Sequence, residues 1–243
     1  MILSTPRYVT LFAALLIAGS TAFGQPPSSL TADDKAAIQM LVSSYASALG
    51  QCHAEEFADL FVPQTGAFLS GFRGRFVGRE KLIALVQSER HCVAPSGSQP
   101  AARPGGTNGP TVDIEATANG ARGVAHLGTA EYQDEYTKTA AGWRFASRTV
   151  ILATEKAAGI EAADLLAIER LGGSALGDDY EADQGGGKPR LLTSGVRVTV
   201  SGNEVKGRAF LKDGGYNDEV YEKIGPGKWR VKSSVHVAPG AAR

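Results

Sequence analysis

The chain has 243 residues, of which 25 are basic and 25 acidic, so its formal net charge is zero. This length fits one large or two small domains, and a hydrophobic content of 43% with a charged content of 21% is ordinary for a globular protein. Because the charges balance, nothing in the composition favours a nucleic-acid-binding surface or an acidic tail.

The first residues have the pattern of a secretory signal peptide. Arg7 precedes an apolar run over residues 9–18, and the small residues Gly19, Ser20 and Ala22 follow. A membrane-spanning helix needs about 20 apolar residues, roughly twice this run. We therefore expect residues 1–24 to be removed, and the mature chain to be secreted or periplasmic and to lack a membrane span.

Two cysteines, Cys52 and Cys92, would then remain in an exported chain. In an oxidising compartment they either form one structural disulfide or stay as two free thiols. The sequence leaves both alternatives open, because the distance between the two residues depends on the fold.

The first half of the chain alternates between helical and strand patterns. Thr31 and Asp34 form a capping box, and apolar residues then recur at helical spacing until Gly50. A short second helix around Phe57 to Phe61, the strand TGAFLSGF and the helix GREKLIALVQSER follow, then a Pro/Gly-rich loop over 93–110 and strands over 111–118, 122–137 and 142–152. This order predicts an α+β fold, with helices packed on one face of an antiparallel sheet.

The later part of the chain repeats the pattern in a shorter form. The segment VDIEATANGARGVAHL aligns with VRVTVSGNEVKGRAFL at a shift of 84 positions, and DKAAIQML resembles DLLAIERL. The shift falls from 127 positions at the two SALG sequences to 84 at the strands, so 43 residues of the first unit have no counterpart. We expect a partial helix-plus-three-strand repeat, in which the glycine-rich segment near 185 is a flexible connection.

The segment YQDEYTKTAAGWRFASR resembles the final hairpin of SnoaL-like domains in the nuclear transport factor 2-like superfamily. The shared residues are Tyr132, Asp134, Gly142, Trp143, Arg144 and Arg148. The opening helix, the sequences DLF and GREKL, and the pair RHC and TNGPTVDI also resemble this family. The resemblance covers residues 30–152 and implies a cone in which helices close a curved antiparallel sheet.

The resemblance leaves the activity open, because this fold hosts cyclases, isomerases, dehydratases and non-catalytic binding proteins. Many relatives carry acids where this chain has Gly50 and His53. The isomerase base would fall near residues 69–71, which contain no carboxylate. Both departures count against cyclase, isomerase and dehydratase reactions.

The resemblance nevertheless implies candidate site residues. His91 matches a pocket histidine of dehydratase-like relatives, and Tyr45 and Tyr132 would assist it as catalytic residues. His91 could instead cap the third helix, and Tyr45 could be a core residue. Further expected pocket residues are Asp134, Asn108, His126 and Trp143. Asp134 pairs with Arg148 or lies near Ser147, depending on the strand register.

We therefore expect a SnoaL-like domain over residues 28–153 and an abridged repeat over 158–238 that packs on the first sheet. The mature protein would then be a monomer with an internal pseudo-dimer. Three functions remain open: binding of a small apolar molecule in the cone, a lyase or isomerase reaction through His91, and non-catalytic binding of a partner. The sequence predicts no cofactor and no metal site, because its four histidines are scattered.

Overall fold

The computed structural model of the protein describes residues 29–89, 92, 111–181, 190–201 and 204–240, with only the backbone described at 178–181 and 190–194. The predicted signal peptide at 1–24 and the glycine-rich segment near 185 lie outside these residues. Five helices are described, namely α1 (Ala32–Gly50), α2 (Ala54–Asp59), α3 (Arg79–Gln87), α4 (Ala153–Ala157) and α5 (Ala162–Leu171).

The long first helix begins at the predicted cap. The Asp34 amide donates to the Thr31 hydroxyl over 3.1 Å, and the Thr31 amide donates back to the Asp34 carboxylate over 3.3 Å. This reciprocal arrangement satisfies two amides that the helix leaves free. The predicted apolar stripe is buried and faces the sheet, with Ile38 and Val42 fully buried.

Eight strands form the first sheet, in the order β3-β4-β5-β6-β1-β2-β8-β7. Their bounds are β1 (Ala67–Ser70), β2 (Gly74–Val77), β3 (Val112–Thr117), β4 (Gly120–Leu127), β5 (Ala130–Thr139), β6 (Gly142–Ile151), β7 (Asp178–Glu181) and β8 (Arg190–Ser194). β3 to β6 form an antiparallel meander, and β1 joins the edge of β6 in parallel. The predicted α+β class is confirmed.

Two details of the sheet differ from the sequence prediction. The segment 122–137, predicted as one strand, is divided into β4 and β5 by a two-residue turn at Gly128, whose φ of 65° favours glycine. β2 was not predicted, because Gly74 and Arg75 interrupt the apolar alternation of its four residues.

The two faces of the first sheet carry different cores. The inner face packs against α1 to α3 and contributes Ala125, Tyr136, Phe145 and Val150 to the first core. On the outer face, Leu69 and Ile151 join a second core with α5 and the second sheet. α5 therefore lies between the two sheets.

The second sheet has four strands, in the order β12-β11-β10-β9, rather than the three predicted. They are β9 (Val196–Ser201), β10 (Glu204–Phe210), β11 (Tyr216–Gly225) and β12 (Lys228–Val237). As in the first unit, the predicted long strand is divided by a turn.

Each unit holds its helix to its last hairpin through one aspartate. Asp34 of α1 accepts hydrogen bonds from the Trp143 indole over 2.9 Å and from Lys138 over 2.7 Å. In the second unit Asp164 of α5 accepts from the Trp229 indole over 2.8 Å, and it also accepts from the ammonium group of a lysine on β11 over 2.9 Å.

The two meanders also share their irregularities. A β-bulge at Ala146 of β6 lies opposite the step from Glu135 to Tyr136 of β5, and a second one at Lys232 of β12 lies opposite the step from Val220 to Tyr221 of β11. This geometry makes Tyr221 the counterpart of Tyr136 at a shift of 85, one more than the sequence alignment gave for these strands. The extra residue lies in the longer turn between β10 and β11.

Candidate functional site

A buried ion pair lies at the centre of the inner face of the first sheet. The β5–β6 register places Asp134 directly opposite Arg148, and both side chains are completely buried. Arg148 Nε donates to Asp134 Oδ1 over 2.8 Å, and Arg148 Nη2 donates to Oδ2 over 2.7 Å. The Tyr136 hydroxyl donates to the same Oδ2 over 2.7 Å. Both carboxylate oxygens are therefore engaged.

Three aromatic rings surround the guanidinium group of Arg148. Its Cζ atom lies 4.1 Å from the ring centroid of Tyr45, 4.4 Å from that of Phe145 and 4.8 Å from that of Tyr132. These three rings come from α1, β6 and β5, so the helix and the sheet close on the cation together. Such contacts are stronger for a desolvated cation than for an exposed one. We call Tyr45, Tyr132, Phe145 and Arg148 the arginine cage.

Burial determines the charge state of the groups in the arginine cage. It raises the pKa of the Tyr45 and Tyr132 hydroxyls, so both are neutral at physiological pH. Burial also raises the pKa of Tyr136, and the neighbouring Asp134 charge raises it further. Burial alone would lower the pKa of Arg148, but Asp134 more than offsets this and raises it. The site therefore contains a charged pair among neutral phenols.

One donor of the arginine cage is unsatisfied. Arg148 Nη1 is buried and has no hydrogen-bond partner, and no other such buried side-chain atom is found in the part of the chain that the structure describes. A buried polar atom of this kind calls for an explanation, because natural proteins contain few of them. The geometry offers this N–H group to an acceptor that the described residues do not supply.

The end of α3 forms a charged rim near the cage. Glu89 lies close enough to Tyr45 and Tyr132 for its charge to raise the pKa of both hydroxyls, although burial is the larger cause. Its carboxylate accepts from Arg73 Nη2 over 2.8 Å, and about a fifth of each of these two side chains is exposed. Tyr132 is half-buried, so this side of the cage is the more accessible one.

A disulfide fixes the chain just beyond this rim. Cys52, which follows α1, is bonded to Cys92, which follows α3, with a Cα–Cα distance of 5.5 Å. Of the two alternatives that the sequence left open, the structure shows the disulfide. It holds the ends of α1 and α3 together at the side of the cone where Glu89 lies.

The structure brings together three of the predicted site residues. Tyr45, Tyr132 and Asp134 all contact Arg148, and Asp134 takes the register that pairs it with this arginine. The predicted residues His91 and Asn108 lie outside the described residues.

The other two predicted pocket residues lie elsewhere. His126 is exposed and points away from the core, because Ala125 beside it on β4 faces inward. Trp143 is an anchor of the first core that holds α1 through Asp34, and it takes no part in the contacts of Arg148.

Sequence reasoning missed the central role of Arg148. It was named as a possible partner of Asp134, but a basic residue on a strand ordinarily points to solvent. The buried residues of β6 are Trp143, Phe145, Arg148 and Val150. Their spacing changes from two residues to three between Phe145 and Arg148, because a bulge shifts the buried face by one residue. This spacing is the signal that could have identified Arg148 as buried.

A separate groove lies on the outer face of the first sheet. It has a volume of about 800 Å³ and runs between the strands and α5, with Arg75, Arg122 and Arg170 among its lining residues.

No helix of the described residues is long and apolar enough to cross a membrane.

Comparisons with known proteins give a family and a fold. A family model described as "SnoaL-like domain" matches residues 30–149, whereas no curated protein matches the sequence. Among solved structures, an NTF2-like protein with a cystatin-like fold from Novosphingobium aromaticivorans is 18% identical, with a TM-score of 0.39; the match covers 50% of this chain and 82% of that one.

Two further structures are similar over the same half of the chain. A protein of unknown function with a cystatin-like fold from Nostoc punctiforme is 21% identical, with coverages of 51% and 94% and a TM-score of 0.39. A hexachlorocyclohexane dehydrochlorinase from Novosphingobium barchaimii is 18% identical, with coverages of 50% and 87% and a TM-score of 0.38. The family match over residues 30–149 identifies this part of the chain as a SnoaL-like domain of the nuclear transport factor 2-like superfamily.

Proposed function

We propose that the SnoaL-like domain binds a small, largely apolar and neutral molecule inside its cone, and that one acceptor atom of this ligand binds Arg148 Nη1. The observation that carries the proposal is the unsatisfied, buried N–H group of a guanidinium that is otherwise fully engaged. Leaving a buried donor unpaired costs about 1–3 kcal/mol, and more for a charged group. A ligand that supplies an acceptor recovers this free energy on binding.

The charges around the cage favour a neutral ligand over an anionic one. Asp134 already neutralises Arg148 at hydrogen-bond distance, and the carboxylate of Glu89 lies near the more accessible side. An anion would therefore lose its hydration without gaining the attraction of a free cation. A carbonyl or ether oxygen on an apolar ring satisfies Nη1 without this cost.

The described residues favour binding over catalysis. A general base needs access to the proton that it removes, but the Asp134 side chain is completely buried and its carboxylate is held by three hydrogen bonds from Arg148 and Tyr136. Tyr45 and Tyr132 are held in their neutral forms. The lyase or isomerase alternative depends on His91 and stays a prediction, for which loss of turnover with retained ligand binding in His91→Ala would be the supporting result.

Two matched probes test the binding proposal in the unmodified protein. Acetophenone carries one carbonyl acceptor on an apolar ring, whereas ethylbenzene has nearly the same shape without the acceptor. A hydrogen bond to a charged donor contributes about 1.5–3 kcal/mol, so acetophenone should bind about 10-fold to 150-fold more tightly. Calorimetric titration measures the ratio. Equal affinities, or binding of neither probe, would contradict the proposal and favour the non-catalytic partner-binding alternative.

We further propose that the chain is exported after removal of residues 1–24. The Cys52–Cys92 disulfide supports this, because structural disulfides persist in oxidising compartments. Fractionation of cells that express the full chain, with N-terminal sequencing of the mature protein, tests the proposal. A cytoplasmic protein that retains residues 1–24 would contradict it.

We also propose that residues 158–238 are an abridged repeat that makes the mature protein a monomer with an internal pseudo-dimer. Its support is the shared geometry of the two units, in which Trp143 and Trp229 bind the helix residues Asp34 and Asp164 in the same way. α5 already covers part of the outer face of the first sheet. Analytical ultracentrifugation should find a monomer, and a dimer formed through the sheet of residues 111–152 would contradict this.

A further inference from the structure

The strands β6 and β12 occupy the same place in their two units. Each is the last strand of a four-stranded antiparallel meander, and each carries a one-residue β-bulge, at Ala146 of β6 and at Lys232 of β12. Asp134 faces Arg148 in the first unit, and Glu219 faces Ser234 in the second. This register makes residues 233–236 of β12 the counterparts of residues 147–150 of β6.

The two strands differ at the edge that faces away from the rest of the meander. β1 covers the edge of β6 in parallel, with Ala67 opposite Ser147 and Ser70 opposite Val150. Among the strands that the structure describes, none pairs with the corresponding edge of β12. Residues 233–236 are exposed there, and Val235 keeps 64% of its surface accessible.

An open strand edge presents amide and carbonyl groups that another extended chain can pair with. Recognition of this kind takes its affinity from the backbone and its specificity from alternate side chains. The exposed Val231 and Val235 lie on opposite faces of β12, because the bulge lies between them. A segment added at this edge can therefore bury apolar side chains on both faces.

The positive charge of β12 adds a second requirement for a segment that binds its edge. Lys228, Arg230 and Lys232 lie on this strand, and no acidic residue follows between position 223 and the last residue at 243. Arg230 is paired with Glu222, whereas Lys228 and Lys232 are exposed, and both precede residues 233–236 on the strand. Their positive charge favours a parallel segment with acidic residues at its N-terminal end.

We propose that the free edge of β12 binds an extended segment of a partner protein, apolar at its centre and acidic at its N-terminal end, in parallel orientation. The parallel direction follows from β1, which binds the equivalent edge of β6 in this way. The interaction uses the second sheet alone, so it does not depend on the ligand proposed for the cone.

A labelled peptide tests the proposal on the full mature chain. The probe carries two glutamates followed by the β1 sequence AFLS, with fluorescein at its N-terminus. Its fluorescence anisotropy should saturate on titration with the protein. The variant Lys228→Glu/Lys232→Glu should weaken binding at least about 10-fold at low salt, because two attractions become repulsions. Lys206→Glu, on the interior strand β10, is the matched control and should leave binding unchanged.

Two further measurements test the pairing itself. A peptide N-methylated at alternate residues cannot donate to the edge and should bind at least about 10-fold more weakly. For the orientation, Ser233→Cys should form a disulfide with a peptide that has cysteine at its Ala position, and much less with one that has cysteine at its Ser position. The reverse preference would establish an antiparallel strand and overturn the proposed geometry.

Three results would overturn the proposal. The first is no anisotropy change up to about 1 mM protein, which corresponds to less than about 4 kcal/mol of binding free energy. The second is binding that N-methylation does not weaken. The third is cross-linking of Ser233→Cys between two copies of the chain without peptide, which would make a second copy the occupant of this edge.

Discussion

Replacement of Arg148 by methionine tests whether the buried ion pair organises the cone. Methionine is unbranched and flexible, so it can fill much of the space between the three rings. The substitution removes both hydrogen bonds from Arg148 to Asp134 and leaves this carboxylate with the Tyr136 hydroxyl as its remaining donor. A buried charge then lacks its partner.

The expected loss of unfolding free energy in Arg148→Met is the difference between two opposing contributions. Removing one partner of a buried ion pair costs about 3–5 kcal/mol, because the remaining charge is uncompensated. Arg148→Met also removes the unsatisfied Nη1 donor, which returns about 1 kcal/mol. The net loss of unfolding free energy should be about 2–4 kcal/mol, which lowers the melting temperature of a domain of this size by roughly 4–16 °C.

The matched control is Arg208→Met on the second sheet. Arg208 also binds a carboxylate, that of Asp218, through two hydrogen bonds of 2.7 and 3.0 Å and lies over a tyrosine ring, but this pair is partly exposed. Exposed pairs contribute about 0–1 kcal/mol. The double variant Asp134→Leu/Arg148→Met removes both charges and should regain most of the loss.

Urea unfolding of the wild type, the double variant and the single variants Arg148→Met, Asp134→Leu and Arg208→Met, followed by circular dichroism, measures these differences. Two outcomes would refute the reasoning. One is a loss for Arg148→Met no larger than that for Arg208→Met. The other is a double variant whose loss equals the sum of the two single losses, since a pair that depends on mutual charge compensation cannot behave additively.

Three further predictions concern other parts of the molecule. Burial raises the pKa of Glu155 above its ordinary 4.5. The contribution of this group to stability is therefore full below pH 4.5 and is lost as the pH rises through the folded pKa. Glu155→Gln should raise the melting temperature near pH 7 and not near pH 4. A Cβ atom at Gly207 would overlap the ring of Tyr221, so Gly207→Ala should cost about 1–3 kcal/mol in urea unfolding. Cys52→Ser removes the disulfide to Cys92, which closes a 40-residue separation, and should cost about 2–4 kcal/mol by the same assay.

The elements that could be predicted from the sequence are those with strong local signals. α1 combines a capping box with an uninterrupted apolar stripe, so both its start and its buried face are as predicted. β2 and the division of 122–137 were missed because they depend on single glycines, at which the chain can either continue or turn. β7 and β8 were missed as well, and they lie at the far edge of the sheet.

The candidate site was only partly predictable because it depends on strand register. Tyr132, Asp134 and Tyr136 alternate along β5 and therefore lie on one face of it. The partner of Asp134 could not be chosen, because the bulge at Ala146 of β6 determines whether Ser147 or Arg148 stands opposite. A one-residue bulge has no clear signature in one sequence, although it decides which charge is buried.

The comparison of Arg148 with Ser234 shows why the cone can hold a charged pair and the second unit does not. Both residues stand opposite an acid on the neighbouring strand, but β1, α2 and α3 enclose only the first position. An enclosed carboxylate without a cationic partner would be destabilising, so the guanidinium is needed there. In the second unit Ser234 and Glu219 are accessible, and water can solvate the acid. If residues 158–238 are the abridged repeat proposed above, the 43 residues that it lacks account for two features together: a closed, charged interior in the first unit and an open strand edge in the second.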